Sequence, residues 1–514
     1  MNLKATILFS SALVASAFLF AQQPGTLDGD FDANGSVITS ITSDPDGANS
    51  VVVQPDGKIV VAGRAGLGFF NVPSDYATVR YLPDGSLDAS FGTNGIVTAD
   101  LGTLDHANSI ALQTDGKIVV GGTSTGIISS EAFALVRYHQ DGTIDNSFST
   151  TDQDGLFTGP LGECEAIAIQ SDGKIVAAGR VSTSSYDFRL ARYNIDGTID
   201  NTFGPNGVVT TDLGGLDDVL RSIAIQPDGK IVVAGLSDNG ANFDFAVARY
   251  NSDGSLDNGF SFNGVVSTDF GGVGDGARSV LLQPDGKIVV VGITTASPVN
   301  FRALARYNAD GTLDNTFGVN GKVVTMVAGV SYSSVLQPDG KIIVVGGLDA
   351  IDLMRYHVDG TLDTDFGVNG IAEANIGLSG SSANSCDLQP DGKIVVAGSA
   401  HAIATDDVGF AVARFITGLN LGVVSFSKQD NAMLVYPNPV QERAVLKYTL
   451  STTETISIDL YDVSGKLVQS LVQSEKRTKG PQKETLVIDS SIPAGTYILT
   501  LSNGVGSSSV RISK

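Results

Sequence analysis

Short apolar runs alternate with polar, turn-rich segments along most of this chain, and the pattern recurs every 52 to 59 residues. The fourth unit shows the order. Residues 222–225 (SIAI) form an apolar run, and Pro227-Asp228-Gly229 supplies turn chemistry. Residues 230–235 (KIVVAG) are rich in β-branched side chains. Residues 243–250 (FDFAVARY) alternate in part, residues 253–264 are dense in turn formers, and residues 265–269 (VVSTD) close the unit. No 3.6-residue apolar stripe runs through the repeats, so the pattern predicts four short strands per unit and no long helix.

The hairpin core, Q-x-D-G-K-I, begins at Gln54, Gln113, Gln170, Gln226, Gln283, Gln337 and Gln389. A fixed period of this length marks supersecondary units that cannot bury their apolar faces alone. Four-stranded units repeated radially describe a β-propeller; a solenoid is the alternative, with shorter repeats and fewer strands. A second signature, [L/I]-D-x-x-F, decides between them. Its aspartates are Asp28, Asp88, Asp145, Asp200, Asp257, Asp314 and Asp363. The first copy precedes the first hairpin, and none follows the last. The array is therefore offset by one strand, and residues 36–41 are expected to complete the seventh blade and remove the open edge.

The units resemble delta-60 repeats, a bacterial propeller-type family. The hairpins carry the resemblance, with Arg80-Tyr81 and its equivalents and the L-D-x-x-F-G-x-N-G tails. The second tail departs after Phe148, and Phe415 replaces the tyrosine of the seventh unit. The resemblance implies an extracytoplasmic surface or binding protein and brings no catalytic residues.

Residues 1–21 read as a secretory signal: Lys4, then an apolar stretch ending at Ala21. The repeat ends near Gly418, and residues 419–432 read as a linker. Residues 433–514 show alternating strands of a small Ig-like β-sandwich. This segment resembles the type A C-terminal sorting domain of the type IX secretion pathway of Bacteroidetes. Tyr436, Pro437, Asn438, Pro439, Gly465, Pro493, Gly495 and Lys514 carry that likeness. It implies recognition by the outer-membrane secretion machinery, with the cargo on the cell surface or released. The predicted fold is thus all-β: signal 1–21, a seven-bladed propeller over 22–418, linker 419–432 and sorting sandwich 433–514.

The formal net charge is −23. Residues 433–514 hold 9 basic and 7 acidic side chains, and Lys4 lies in the signal, so the propeller and linker carry −26. That argues against nucleic acid or anionic lipid as a partner. Of the 48 acidic residues in 22–432, 20 sit in three repeated turn slots, where aspartate bonds nearby backbone N–H groups. Cys164 and Cys386 fall in distant blades at different offsets, so both are expected to be buried thiols. No segment beyond the signal reads as a transmembrane span, and a monomer is expected.

Asp30-Phe31-Asp32-Ala33-Asn34-Gly35 opens like an EF-hand loop, but the twelfth position is Ile41 where a glutamate is needed. A looser calcium site on Asp28, Asp30, Asp32 and Asn34 is one candidate and Asp152 with Asp154 another; turn chemistry is the favoured reading of both. No other cofactor is expected. The repeated arginines, one per blade, read as scaffold, with pairing to the nearby L-D aspartate as their expected role. The residue five before each hairpin glutamine varies instead: Asn49, Asn108, Glu165, Arg221, Arg278, Tyr332 and Asn384. This set is the candidate ligand ring at the channel mouth, for a glycan or protein ligand. His106, His139, His357 and His401 make no metal-ligand spacing, and Glu163 with Glu165 is the one carboxylate pair offered for acid–base chemistry. The readings are a secreted binding or structural propeller without catalysis, a channel-mouth glycan lyase or hydrolase, or an inert surface-layer component.

Overall fold

In the computed structural model the described residues are 23–67, 73–125, 130–148, 156–347, 349–378, 380–402, 407–419, 434–436, 440, 443–450, 453–462, 467–490, 492–493, 495–502 and 507–514. The signal, residues 420–432 of the linker and the divergent second tail with Asp152 and Asp154 lie outside them.

Seven four-stranded antiparallel sheets form the propeller. In the fourth, Asp218–Ile225, Ile231–Asp238, Phe243–Tyr250 and Val265–Thr268 pair in sequence order. The hairpin turn follows from its residues. Gly57 and its six counterparts take φ values of 83° to 86°, which a side chain resists. The Lys58 N–H bonds the Asp56 carboxylate at 3.2 Å, and the Gln54 N–H bonds the Lys58 carbonyl at 2.8 Å.

The second strand of each blade reads as a continuous apolar run because both its faces are covered. Ile59 and Val61 pack toward the seventh blade, against Val395 and Val412. Val60 and Ala62 pack toward the second, against Ile118 and Val120. The first strands of successive blades touch around the whole circle, from Gly47–Val53 through Ser382–Leu388 and back. They are the innermost strands and line the channel.

Closure follows the predicted offset. Ser36–Thr39 pairs antiparallel with Val408–Phe415, with Ser36 opposite Ala413 and Thr39 opposite Phe410. This N-terminal strand makes the same contact as the outer strand of the third blade. The buried Tyr81 hydroxyl bonds Thr39 Oγ1 at 2.8 Å, as Tyr250 bonds Thr211 at 2.9 Å.

A clamp recurs in each blade. Arg80 Nε donates to Asp88 at 2.8 Å, Lys58 Nζ stands 3.0 Å from the same carboxylate, and the guanidinium lies 4.5 Å over the Phe91 ring. Arg80 Nη1 donates to the Gln140 carbonyl of the next blade. In the seventh blade the aspartate is Asp28, 386 positions before Arg414. Arg414 Nε meets it at 2.7 Å and Lys393 Nζ at 2.8 Å, while Phe31 lies under the guanidinium. The repeated arginines are therefore structural.

The C-terminal segment forms two sheets. Leu434–Tyr436, Arg443–Leu450 and Gly480–Val487 make one; Leu467–Arg477, Glu454–Asp462, Thr496–Ser502 and Ser507–Ser513 make the other. Leu446, Leu486, Ile458 and Leu499 join them in one core.

Candidate functional site

Each innermost strand carries one β-bulge, and the bulged residue is the variable one. The pairing skips between Ala48 and Ser50, Ala107 and Ser109, Cys164 and Ala166, and Leu220 and Ser222. It skips again between Ala277 and Ser279, Ser331 and Ser333, and Ala383 and Ser385. Asn49, Asn108, Glu165, Arg221, Arg278, Tyr332 and Asn384 are thus the seven unpaired residues, all half-buried. A bulge frees one residue from the ladder and re-aims its side chain, here toward the neighbouring blade.

The seven fall into two arcs. Asn384 Nδ2 donates to the Ala48 carbonyl at 2.8 Å, Asn49 Nδ2 to Ala107 at 2.9 Å and Asn108 Nδ2 to Cys164 at 2.9 Å. These amides staple blades seven, one, two and three. On the other arc Arg221 Nη1 donates to Glu165 Oε1 at 2.5 Å, and the Arg278 guanidinium lies 5.8 Å from the Tyr332 ring centre. Among the described residues no carboxylate stands within ion-pair distance of Arg278. Burial pushes the Arg278 pKa down, and the Arg221 charge adds to that. Burial raises Glu165, against the opposing pull of Arg221 and Arg180. Glu163 does not pair with Glu165; Arg180 Nε holds it at 2.9 Å.

The sequence reading missed the residue after the bulge. It is serine in six blades, and it hydrogen-bonds the next blade: Ser50 Oγ accepts the Ile110 N–H at 3.3 Å, and Ser385 Oγ accepts that of Val51 at 3.2 Å. Ala166 takes the slot in the third blade. The recurring Ser at a fixed offset from Q-x-D-G-K was the available signal.

Of the calcium candidates, Asp28 is buried, and its Oδ2 is held by Arg414 and Lys393. Burial alone raises its pKa, but bonds and charge from Lys393 and Arg414 hold it below the ordinary value. Its Oδ1 accepts the Asp30 N–H at 3.2 Å, and Asn34 Oδ1 accepts the Ser36 N–H at 2.9 Å. Asp30 and Asp32 are exposed. Both thiols are buried and free, and burial pushes that of Cys386 up to about 12.

In the sorting domain Pro493, Gly495 and Lys514 come together. The Gly495 and Lys514 backbones bond each other both ways at 2.9 Å, and the Lys514 ammonium caps the Ile492 carbonyl at 2.6 Å. Tyr497 Oη donates to the Pro493 carbonyl at 2.8 Å. Tyr436 lies under Lys447, at 5.2 Å from Nζ. Pro437, Asn438, Pro439 and Gly465 lie outside the described residues.

Ring and sandwich together define a β-propeller protein with an appended β-sandwich. The family model "Domain of unknown function (DUF5122) beta-propeller" matches residues 54–91, 113–148, 170–203, 226–260, 283–317, 337–366 and 389–415. The model "Secretion system C-terminal sorting domain" matches residues 434–514. The chain belongs to the DUF5122 β-propeller proteins, with a type IX sorting domain that sends it to the cell surface or beyond. No curated protein matches it. Among solved structures it is similar to a fungal alcohol oxidase of the AA5 family (13% identity, 93% of this chain and 98% of that one, TM-score 0.43). Virginiamycin B lyase from Staphylococcus aureus shares 12% identity over 73% of this chain and 98% of its own, with a TM-score of 0.38. A PL25 ulvan lyase shares 12% over 74% and 96%, with a TM-score of 0.41. These likenesses carry no argument about chemistry. No described helix is long and apolar enough to cross a membrane.

Proposed function

We propose that the chain is a non-enzymatic binding propeller, carried out through type IX secretion, that takes an acidic saccharide at the channel mouth. The arc of Glu165, Arg221, Arg278 and Tyr332 receives the ligand. One observation carries the reading: the seven bulges share one geometry while their side chains differ, and Arg278 lies beside an aromatic ring with no ion-pair partner among the described residues. A guanidinium suits a carboxylate or sulfate group, and the tyrosine ring offers an apolar face to a sugar. The separate pairing of Glu163 with Arg180 and Glu165 with Arg221 supports binding over acid–base catalysis.

The test is glycan-array binding by the full exported chain, followed by titration of the strongest hit. Losing charge-assisted bonds costs about 1.5–3 kcal/mol, so Arg221→Ala with Arg278→Ala should weaken binding at least ~tenfold. Unchanged affinity in the double variant removes this site.

A further inference from the structure

Three blade junctions carry a structure that the ligand ring does not use. Asp75, Asp100 and Asp105 bring carboxylate oxygens within 4.8 Å of one another, as do Asp187, Asp212 and Asp218, and Asp244, Asp269 and Asp275. Each trio has the same construction. Its first member is the first or second residue of the third strand of one blade, its second follows that blade's outer strand, and its third stands on the innermost strand of the next blade.

Proximity of acids is not itself a site; the unpaired oxygens are the second observation. Asp105, Asp218 and Asp275 are at most 1% exposed. Oδ2 of each accepts a backbone N–H, from Leu101 and Leu213 at 2.7 Å and Phe270 at 2.6 Å. Oδ1 of each is buried with no hydrogen-bond partner, and so is Oδ1 of Asp244. Hydroxyls on Ser124, Ser237 and Thr294 stand beside these carboxylates and pull their pKa values down, against the stronger effect of burial. Burial first, and then the neighbouring acids, raise the pKa of all three inner-strand aspartates.

The junction of blades seven and one is an internal contrast. Gly409 and Ser40 occupy the first two slots, so Asp46 has no acidic partners there. Its Oδ2 accepts the Ile41 N–H at 2.7 Å, and its Oδ1 is also satisfied, by Thr42 Oγ1 at 2.8 Å and the Gly66 N–H at 3.0 Å. Where the two extra carboxylates are present, the inner aspartate keeps its backbone bond and loses the partners of Oδ1. Unpaired buried carboxylate oxygens facing other carboxylates call for a positive charge among them.

We propose that these three junctions are calcium sites, each stapling one blade to the next. All the side-chain donors are oxygens, which suit a hard divalent cation over a thiolate- or imidazole-seeking metal. Asp100, Asp212 and Asp269 are exposed and keep each site open to solvent. The sites lie on the innermost strands, three positions before Asn108, Arg221 and Arg278. Calcium there fixes the blades that carry the ring, and the inference does not rest on what the ring binds.

The test is calorimetric titration of the chelator-treated full chain with calcium chloride, paired with melting curves. Three ions per chain and a raised Tm in calcium are expected. Asp105→Asn should lower the count to two. Asp100→Asn, at an exposed position, gives the same readout where a buried change disturbs folding. No binding and identical melting curves in calcium and chelator overturn the proposal. So does a count that falls with Asp30→Asn and not with Asp100→Asn, which places the ion in the N-terminal loop.

Discussion

Asp28→Asn separates the closing clamp from its six copies. The Asp28 carboxylate is 1% exposed and holds Arg414 at 2.7 Å and Lys393 at 2.8 Å. Removing one partner of a buried ion pair costs about 3–5 kcal/mol, because the remaining charge stays buried. Arg414 is buried, whereas the Lys393 side chain is 28% exposed and regains water, so the lower end, ~3 kcal/mol, applies. Asp200→Asn is the control. It strips Arg192 and Lys174 of the same carboxylate, only eight positions from Arg192. Equilibrium melting will show similar losses, and a ring with an appended domain need not unfold in two states. Hydrogen exchange by mass spectrometry resolves the difference. At 1.4 kcal/mol per tenfold, ~3 kcal/mol is roughly a hundredfold rise in exchange. In Asp28→Asn that rise should appear in residues 36–39 and 408–415 together. In Asp200→Asn it should stay within residues 186–211. Unchanged protection of 408–415 in Asp28→Asn refutes the closing role of this clamp.

Acid stability has a defined sign. Burial opposes ionisation of Asp257 and Asp314, but bonds from Lys230 and Gly259, and from Thr316 with the Arg306 charge, hold both pKa values at about 2 against an ordinary 3.8. A lowered folded value means stability that is complete above 3.8 and lost as pH falls through about 2, so circular dichroism should show folded protein at pH 4 and unfolding below. In the sorting domain, deleting residues 507–514 removes an outer strand and the Lys514 cap on the Ile492 carbonyl. Fractionation should then find the chain retained in the periplasm; normal surface delivery contradicts the role of that strand.

The ring was legible because its determinants are local and repeated. Gly57 and Asp56 specify a turn within five residues, and a run such as IVVAG has only one place in a fold whose sheets are covered on both sides. The offset of the Asp28 signature gave the closing strand, since a tail without its blade needs a blade without its tail. The variable ring positions were legible as variation. Their common cause, a bulge, was not, because no residue type marks it and the pairing partner is needed to see the skipped step. The acidic trios were hidden for another reason. Asp75, Asp100 and Asp105 are spread over 31 positions, and each alone reads as a loop aspartate. Only the packing of one blade on the next brings them together.

Radial closure is tested most directly by a cysteine pair across the joint. Ser36 stands opposite Ala413, and the equivalent pair inside the third blade is Val208 opposite Ala191. Both native thiols are buried, so added cysteines can be mapped cleanly. Under mild oxidation of the folded full chain, Ser36→Cys with Ala413→Cys should form a disulfide as readily as Val208→Cys with Ala191→Cys. A control pair that links while positions 36 and 413 stay reduced would mean that the first strand does not complete the last blade.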